Sequence, residues 1–139
     1  MKKILALVIF VIVLTGCNQA LTITEIEMDK VSSKLEETIE ENANENGNYI
    51  ISNGKEQYVF LNRGNVVEGE EAVVLSNFKT EVKENTLSIS FEEEATADYE
   101  NQDLTHQMLY EIKGKKDEYD TIDLMKNGES IPFDGSILN

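Results

Sequence analysis

The sequence predicts an α+β fold in which one N-terminal helix packs on a mostly antiparallel β-sheet or small open barrel. Three observations predict this class. Apolar residues recur every four positions between residues 31 and 43, as on one face of an amphipathic helix. The pairs Asn53-Gly54 and Asn127-Gly128 each separate apolar runs, which is the strongest short signal for a β-hairpin. Residues 87–91 alternate strictly between apolar and polar side chains, as a half-buried strand does.

The first residues have the form of an export signal. Two lysines precede an unbroken apolar run over residues 4–14. This run is too short to cross a bilayer, which needs about 20 residues, but it has the length of a signal-peptide core. We therefore predict a signal peptide over residues 1–16. Residues 17–28 are predicted to be the mature N-terminus and its tether, and residues 29–139 a single small α+β domain.

The signal ends in Leu14-Thr15-Gly16-Cys17, which resembles the lipobox of bacterial lipoproteins. In that family the cysteine thiol is diacylated and the peptide is cut just before it. The resemblance implies that Cys17 is lipidated and holds the protein at the extracytoplasmic face of the cell membrane. Two acyl chains anchor a protein stably where one does not. The alternative is an uncleaved anchor with a buried cysteine.

The predicted helix has its apolar face at Val31, Leu35, Ile39 and Ala43. Ser33 and Glu36 fit a capping box at its start, with Asp29 as a rival N-cap. Asparagine and glycine in residues 42–48 predict its end. Residues 23–28 are ambiguous between a short strand and the start of a helix.

Short strands are predicted over most of the remaining chain, at residues 49–52, 58–61, 72–75, 78–82, 87–91, 104–112 and 119–125. The segments 72–75 and 78–82 are either one strand or two, with a kink at Ser76-Asn77. Residues 92–103 are acidic and polar and are predicted to be a loop. A last strand over residues 131–133 would lie at a sheet edge, because Pro132 lacks an N–H donor.

Several segments follow one another in an order that resembles a known family. An acidic helix precedes the hairpin GNYIISNGKEQYVFL, and Arg63-Gly64 breaks the chain after it. FKTEVKENTLSISFEEE has the form of a long hairpin and YDTIDLMKNGESIPF that of closing strands. Together they are similar to the PrcB-like domain, named for a protease-complex lipoprotein. The family often carries Thr-Gly-Gly-Tyr after the break, where residues 67–72 of this chain keep one glycine. The resemblance implies an extracytoplasmic domain that binds or stabilises a partner such as a protease.

Composition argues against several classes of function. The chain has 12 basic and 27 acidic residues; without residues 1–16 these become 10 and 27, a net charge of −17. Such an excess of acid argues against nucleic-acid binding and against electrostatic docking on anionic lipids. One histidine, His106, and one cysteine are too few for a zinc site. No nucleophile motif or phosphate loop is present, so we predict no cofactor and no catalytic residue.

The sequence therefore predicts a lipid-anchored binding or accessory protein of the cell envelope rather than an enzyme. The alternative is a small envelope hydrolase that uses acidic residues. Glu92, Glu93 and Glu94 are the candidate partner-binding residues, since a strongly acidic surface steers a protein toward a basic partner. Residues 92–103 hold six acids, so calcium binding is the alternative to a solvated acidic loop. No EF-hand pattern accompanies these acids, so no metal site is predicted. Tyr99, Tyr110 and Tyr119 are candidates for exposed aromatic contacts; the alternative for each is a buried tyrosine whose hydroxyl is hydrogen-bonded.

Overall fold

The computed structural model describes residues 21–54, 56–98, 100–101, 104–114 and 119–138. These residues contain a short 3-10 helix, one α-helix and nine strands. The helices are Met28–Lys30 (3-10) and α1 Ser33–Asn42; the strands are β1 Thr22–Glu25, β2 Gly47–Asn53, β3 Glu56–Asn62, β4 Ala72–Lys83, β5 Thr86–Thr96, β6 Gln107–Lys113, β7 Thr121–Lys126, β8 Glu129–Ile131 and β9 Gly135–Leu138. The α+β class is confirmed.

The strands form two sheets rather than the single sheet or barrel of the prediction. One sheet has the order β1-β6-β3-β2-β9 and the other β4-β5-β7-β8. Neighbouring strands are antiparallel except for β2 with β9 and β5 with β7. The five-stranded sheet packs against α1 on one face and against the four-stranded sheet on the other. The molecule therefore has three layers and two hydrophobic clusters.

Strand β3, at the centre of the five-stranded sheet, shows why the layers form. Its residues Tyr58, Val59, Phe60 and Leu61 are all buried. Successive side chains point to opposite faces of a sheet. Tyr58 and Phe60 thus join the cluster under α1, while Val59 and Leu61 join the cluster between the sheets. A continuous apolar run is the expected pattern for a strand covered on both faces.

The N-terminal elements begin differently from the prediction. Ser32 is the N-cap of α1, and its hydroxyl accepts a hydrogen bond from the Leu35 N–H at 3.3 Å. Ser33 is already helical, and Asp29 belongs to the 3-10 helix, so the predicted capping box and its rival are both wrong. Part of the predicted tether, Thr22–Glu25, is strand β1 and pairs with β6.

The predicted kink at Ser76-Asn77 is confirmed as a β-bulge in β4. Ser76 lies opposite Glu92 and Lys79 opposite Ser90, so β4 carries one extra residue there. Asn77 adopts a φ of 51°, a left-handed conformation that asparagine tolerates better than most residues. The bulge turns both Leu75 and Phe78 toward the core, although residues three apart in a regular strand face opposite sides.

The C-terminal strands β8 and β9 each form one edge of a sheet. Asn127 and Gly128, with φ of 51° and 85°, form the predicted two-residue turn between β7 and β8. Pro132 follows β8, which is an edge strand of its sheet. The strand predicted over residues 131–133 is wrong in its bounds, because β8 spans Glu129–Ile131 and shares only Ile131 with it. Strand β9, which the sequence did not predict, then adds in parallel to β2.

Candidate functional site

Arg63 joins the two sheets at the end where β3 stops. Its guanidinium donates to the Gly47 and Asn62 carbonyl oxygens, each at 2.9 Å, and to Asn48 Oδ1 at 2.7 Å. It also pairs with Glu93 of β5 through Nε and Nη2, both at 3.0 Å. The Arg63 side chain is only 9% exposed. These contacts therefore take the place of the water that would solvate the charge at the surface.

The candidate residues Glu92, Glu93 and Glu94 lie in a strand and not in a loop, because β5 continues to Thr96. Alternation along the strand turns Glu93 inward to Arg63, where its side chain is 19% exposed. Glu92 and Glu94 are exposed on the outer face of the four-stranded sheet, and Glu92 accepts a hydrogen bond from Asn77. The three carboxylates therefore do not form one surface, and a partner-binding role stays a prediction for the two outward residues.

His106 lies in the segment that connects the sheets before β6. Its Nδ1 is 2.6 Å from the Val73 carbonyl oxygen, which can only accept, so Nδ1 carries the proton. The neighbouring Thr105 carbonyl accepts from the Leu75 N–H, and the His106 carbonyl accepts from the Arg63 N–H, both at 2.8 Å. His106 thus helps to cover the edge of β4 with a structural contact.

A set of carboxamides fastens the connection after α1 to the loop after β3. The buried Asn62 donates to the Ala43 carbonyl at 3.0 Å and the Glu45 carbonyl at 3.1 Å. The Asn46 side chain donates to the Asn65 carbonyl at 2.7 Å and accepts from the Asn65 N–H at 2.9 Å. We call these contacts the asparagine clamp. The sequence signal was the repeated asparagine of residues 42–48, which we interpreted only as a helix stop.

A groove of about 310 Å³ opens beside this clamp, between α1 and the five-stranded sheet. Its apolar lining comes from Met28, Ile39 and Phe60, and its polar lining includes Glu36, Glu40 and Gln107. Ile39 and Phe60 are nearly or fully buried, whereas both glutamates are exposed. The groove therefore has an apolar floor beneath an acidic rim.

A second cleft of about 300 Å³ is lined by Arg63 and its partners and is more polar than the groove. It includes Glu93, Lys126 and Asp134. Asp134 accepts from the Asn48 N–H at 2.7 Å through its side chain, and its own N–H donates to the Asn48 carbonyl at 2.7 Å. Lys126 Nζ lies 3.9 Å from Glu93 Oε1. Glu93 and Lys126 thus lie within ion-pair distance of each other, and Asp134 is bonded to the Asn48 backbone.

The tyrosines of the core are held in their neutral form. Burial raises the pKa of Tyr110 to about 12, with a smaller contribution from Glu25. Burial also raises the pKa of Tyr58 to about 12, helped by the hydrogen bond of its hydroxyl to Glu56 at 2.6 Å. Tyr110 is buried against Phe78 with stacked rings, and its hydroxyl donates to Met108 Sδ at 3.8 Å, so the buried alternative is confirmed for this tyrosine. Tyr119 is half-buried and donates to Gln57 at 2.8 Å.

These tyrosines predict a loss of stability in alkali. Their folded pKa values, about 12 for Tyr58 and Tyr110, exceed the unfolded value of 10.0. The folded state therefore holds protons that the unfolded state releases. The contribution of these tyrosines to the free energy of unfolding is fully present below about pH 10 and is lost as the pH rises through about 12. Urea unfolding across this range, with tyrosinate absorbance recorded in parallel, measures the effect. A Tyr58→Phe variant should show a shallower decline, and an equal decline would contradict the assignment.

Some predicted site residues lie outside the described residues, namely Cys17 and Tyr99. Within the described ranges, no group of three or more histidine, cysteine or acidic side chains is placed to hold a metal ion. Across the same ranges, no helix has the length and apolarity needed to span a membrane. Comparison with protein-family models, with curated proteins and with solved structures finds no match to this chain.

Proposed function

We propose that this chain is a lipid-anchored, extracytoplasmic binding protein that contacts another protein of the cell envelope. The observation that carries the proposal is the short spacing between the lipobox cysteine and the folded domain. Only residues 18–21 separate Cys17 from β1, which begins at Thr22. A lipid on Cys17 would therefore fix both the location of the domain and its orientation.

The chain enters the domain at a tightly packed point. Leu21 belongs to the cluster between the sheets. It also touches Gly114 so closely that a Cβ there would lie 2.8 Å from the Leu21 Cα. Since an extended chain spans at most about 3.5 Å per residue, residues 18–21 reach about 14 Å. The end of the sheet that contains Thr22 and its partner Lys113 must then lie near the membrane surface.

The opposite end of the sheet would face away from the membrane. In β3, Gln57 pairs with Ile112 near the entry point, whereas Asn62 pairs with Gln107 at the other end. A strand rises about 3.3 Å per residue, so these ends are roughly 17 Å apart. The asparagine clamp and the groove beside α1 belong to the far end. The features best suited to contact a partner are thus the ones that the anchor would present outward.

The loop that leaves this end supports a binding role. Val66 and Val67 are 43% and 60% exposed, whereas most large apolar side chains of the described residues are at least partly buried. Asn65, directly before them, is held by Asn46 and donates to the Asn44 carbonyl at 2.6 Å. A loop fixed at its base loses less conformational entropy on binding than a free one.

Photo-crosslinking in intact cells tests this proposal. A photoreactive amino acid is placed at Val67, at the far end, or at Lys113, near the membrane. We expect a discrete protein adduct from Val67 that is lost when Cys17→Ser prevents anchoring, and no such adduct from Lys113. The absence of a Val67 adduct would contradict partner contact at this end. A hydrolase activity of the purified chain that one carboxylate substitution abolishes would instead favour the enzyme alternative.

A further inference from the structure

We infer that the groove beside α1 docks a segment of a partner protein that carries a basic side chain next to an apolar one. The inference rests on the proposed function, because it names the contact that the outward end of the domain would make. The groove lies between one side of α1 and the end of the five-stranded sheet, where β3 stops and β6 begins.

The shape of the groove suits inserted side chains better than a flat contact. Its volume of about 310 Å³ is at the small end of ligand clefts. The half-buried Met28 offers apolar surface to an inserted aliphatic side chain, and the buried Ile39 and Phe60 lie beneath it. Gly64 lies at the margin, where a Cβ would come within 2.7 Å of Gln107 Nε2. A larger residue at this position would therefore displace the Gln107 carboxamide, which lines the groove and donates to Asn62 Oδ1.

The polar groups at the base of the groove are already satisfied within the protein. Asn62 Nδ2 donates to the Ala43 and Glu45 carbonyls, and its Oδ1 accepts from the Gly64 N–H and from Gln107 Nε2. These bonds fix the base without offering a free buried donor to an anion. The floor is therefore suited to an apolar group rather than to a phosphate or a carboxylate.

The negative charge of the rim favours a basic side chain beside the apolar one in the bound segment. Glu36 and Glu40 lie one turn apart on α1, exposed, and the lining contains no lysine or arginine. Like charges four residues apart destabilise a helix. The last turn of α1 also has no basic residue, although the negative end of the helix dipole favours one there. A lysine or arginine of a partner would relieve both effects.

Titration calorimetry with a defined peptide tests the inference. The full chain, purified from membranes in detergent, is titrated with an acetylated and amidated hexapeptide of alternating leucine and arginine. One control peptide has citrulline for arginine, which keeps the shape and removes the charge. The other has serine for leucine. We expect each control to bind at least roughly fivefold more weakly, and equal binding of the citrulline peptide would overturn the inference.

Two double variants of α1 locate the contact. Glu36→Gln with Glu40→Gln should weaken binding of the arginine peptide roughly three- to tenfold, the range expected for two exposed ion pairs. Glu37→Gln with Glu41→Gln makes the same change of charge on the same helix but away from the groove lining, and should alter binding less than about twofold. Equal losses from both pairs would show a general charge effect and overturn the groove as the site.

These experiments do not depend on the anchor. The peptide titration uses the chain whether or not Cys17 is acylated, and circular dichroism checks that each α1 variant keeps its fold. Glutamine and glutamate have similar helix propensities, so the substitutions should preserve α1. Loss of acylation with intact peptide binding would count against the lipid anchor alone. A lipidated protein that crosslinks through Val67 but does not distinguish the peptides would count against the groove alone.

Discussion

A Cys17→Ser variant is expected to accumulate as the unprocessed precursor and to incorporate no fatty acid. The lipobox resemblance gives the reason, since the thiol receives the diacylglycerol and cleavage just before the cysteine follows that step. Cys17 is the only cysteine in the chain, so no other thiol can take the label. Metabolic labelling with a fatty-acid probe, combined with mass measurement of the purified protein, gives the result.

A conservative change within the same motif supplies the control. Thr15→Ala keeps a small residue before the cleavage point, so this variant should still be acylated and cut. Retention of the label in Cys17→Ser would contradict the lipoprotein assignment. A loss of label in both variants would point to disturbed export instead of a missing acceptor.

An Arg63→Met variant is expected to lower the free energy of unfolding by about 3 kcal/mol, at the low end of the range for breaking a buried ion pair. Methionine keeps an apolar stem but leaves the Glu93 carboxylate without its main partner. It also leaves Asn48 Oδ1 and the Gly47 carbonyl without the bonds that Arg63 donates. Urea unfolding of the chain from residue 18, followed by tyrosine fluorescence, measures the change, since the sequence has no tryptophan.

Matched variants separate this effect from simple loss of charge. Lys126→Met also removes one positive charge beside Glu93, but from 3.9 Å and a half-exposed side chain, so it should cost less than about 1 kcal/mol. Glu93→Gln should cost more than Glu92→Gln or Glu94→Gln, because only Glu93 faces Arg63. Equal unfolding midpoints for Arg63→Met and Lys126→Met would contradict a central role for Arg63.

The three glutamates show how far a candidate site can be predicted from sequence. Their acidic character is evident from the sequence. A strand prediction that extended past Phe91 would also have placed Glu93 on the opposite face of β5 from Glu92 and Glu94. The direction of Glu93 depends on Arg63, which lies 30 residues away in the chain. Arg63 itself was interpreted only as a break after β3, since nothing local to it shows that two sheets meet there.

The groove beside α1 also could not be predicted from the sequence. The amphipathic pattern correctly placed Leu35 and Ile39 in the core, and it placed the helical glutamates on other faces. Which glutamates would border a groove depends on how α1 lies across the sheet. That arrangement is fixed by packing on Phe60 and by the asparagine clamp, both of which involve residues distant in sequence.

The sequence by itself determined the local features of this protein. The Asn127-Gly128 turn, the kink at Ser76-Asn77 and the alternation of residues 87–91 depend on backbone preferences and on the two-residue period of a strand, which act over a few neighbours. The first hairpin is present, but its predicted turn at Asn53-Gly54 is wrong by one residue, because Asn53 belongs to β2 and pairs with Glu56. Only the tertiary structure decided that there are two sheets, that β9 joins β2, and that Arg63 meets Glu93. Asn48 and Asp134, bonded across 86 positions, illustrate the reason. Strand pairing and burial are set by contacts between residues far apart in the chain, and local patterns do not specify those partners.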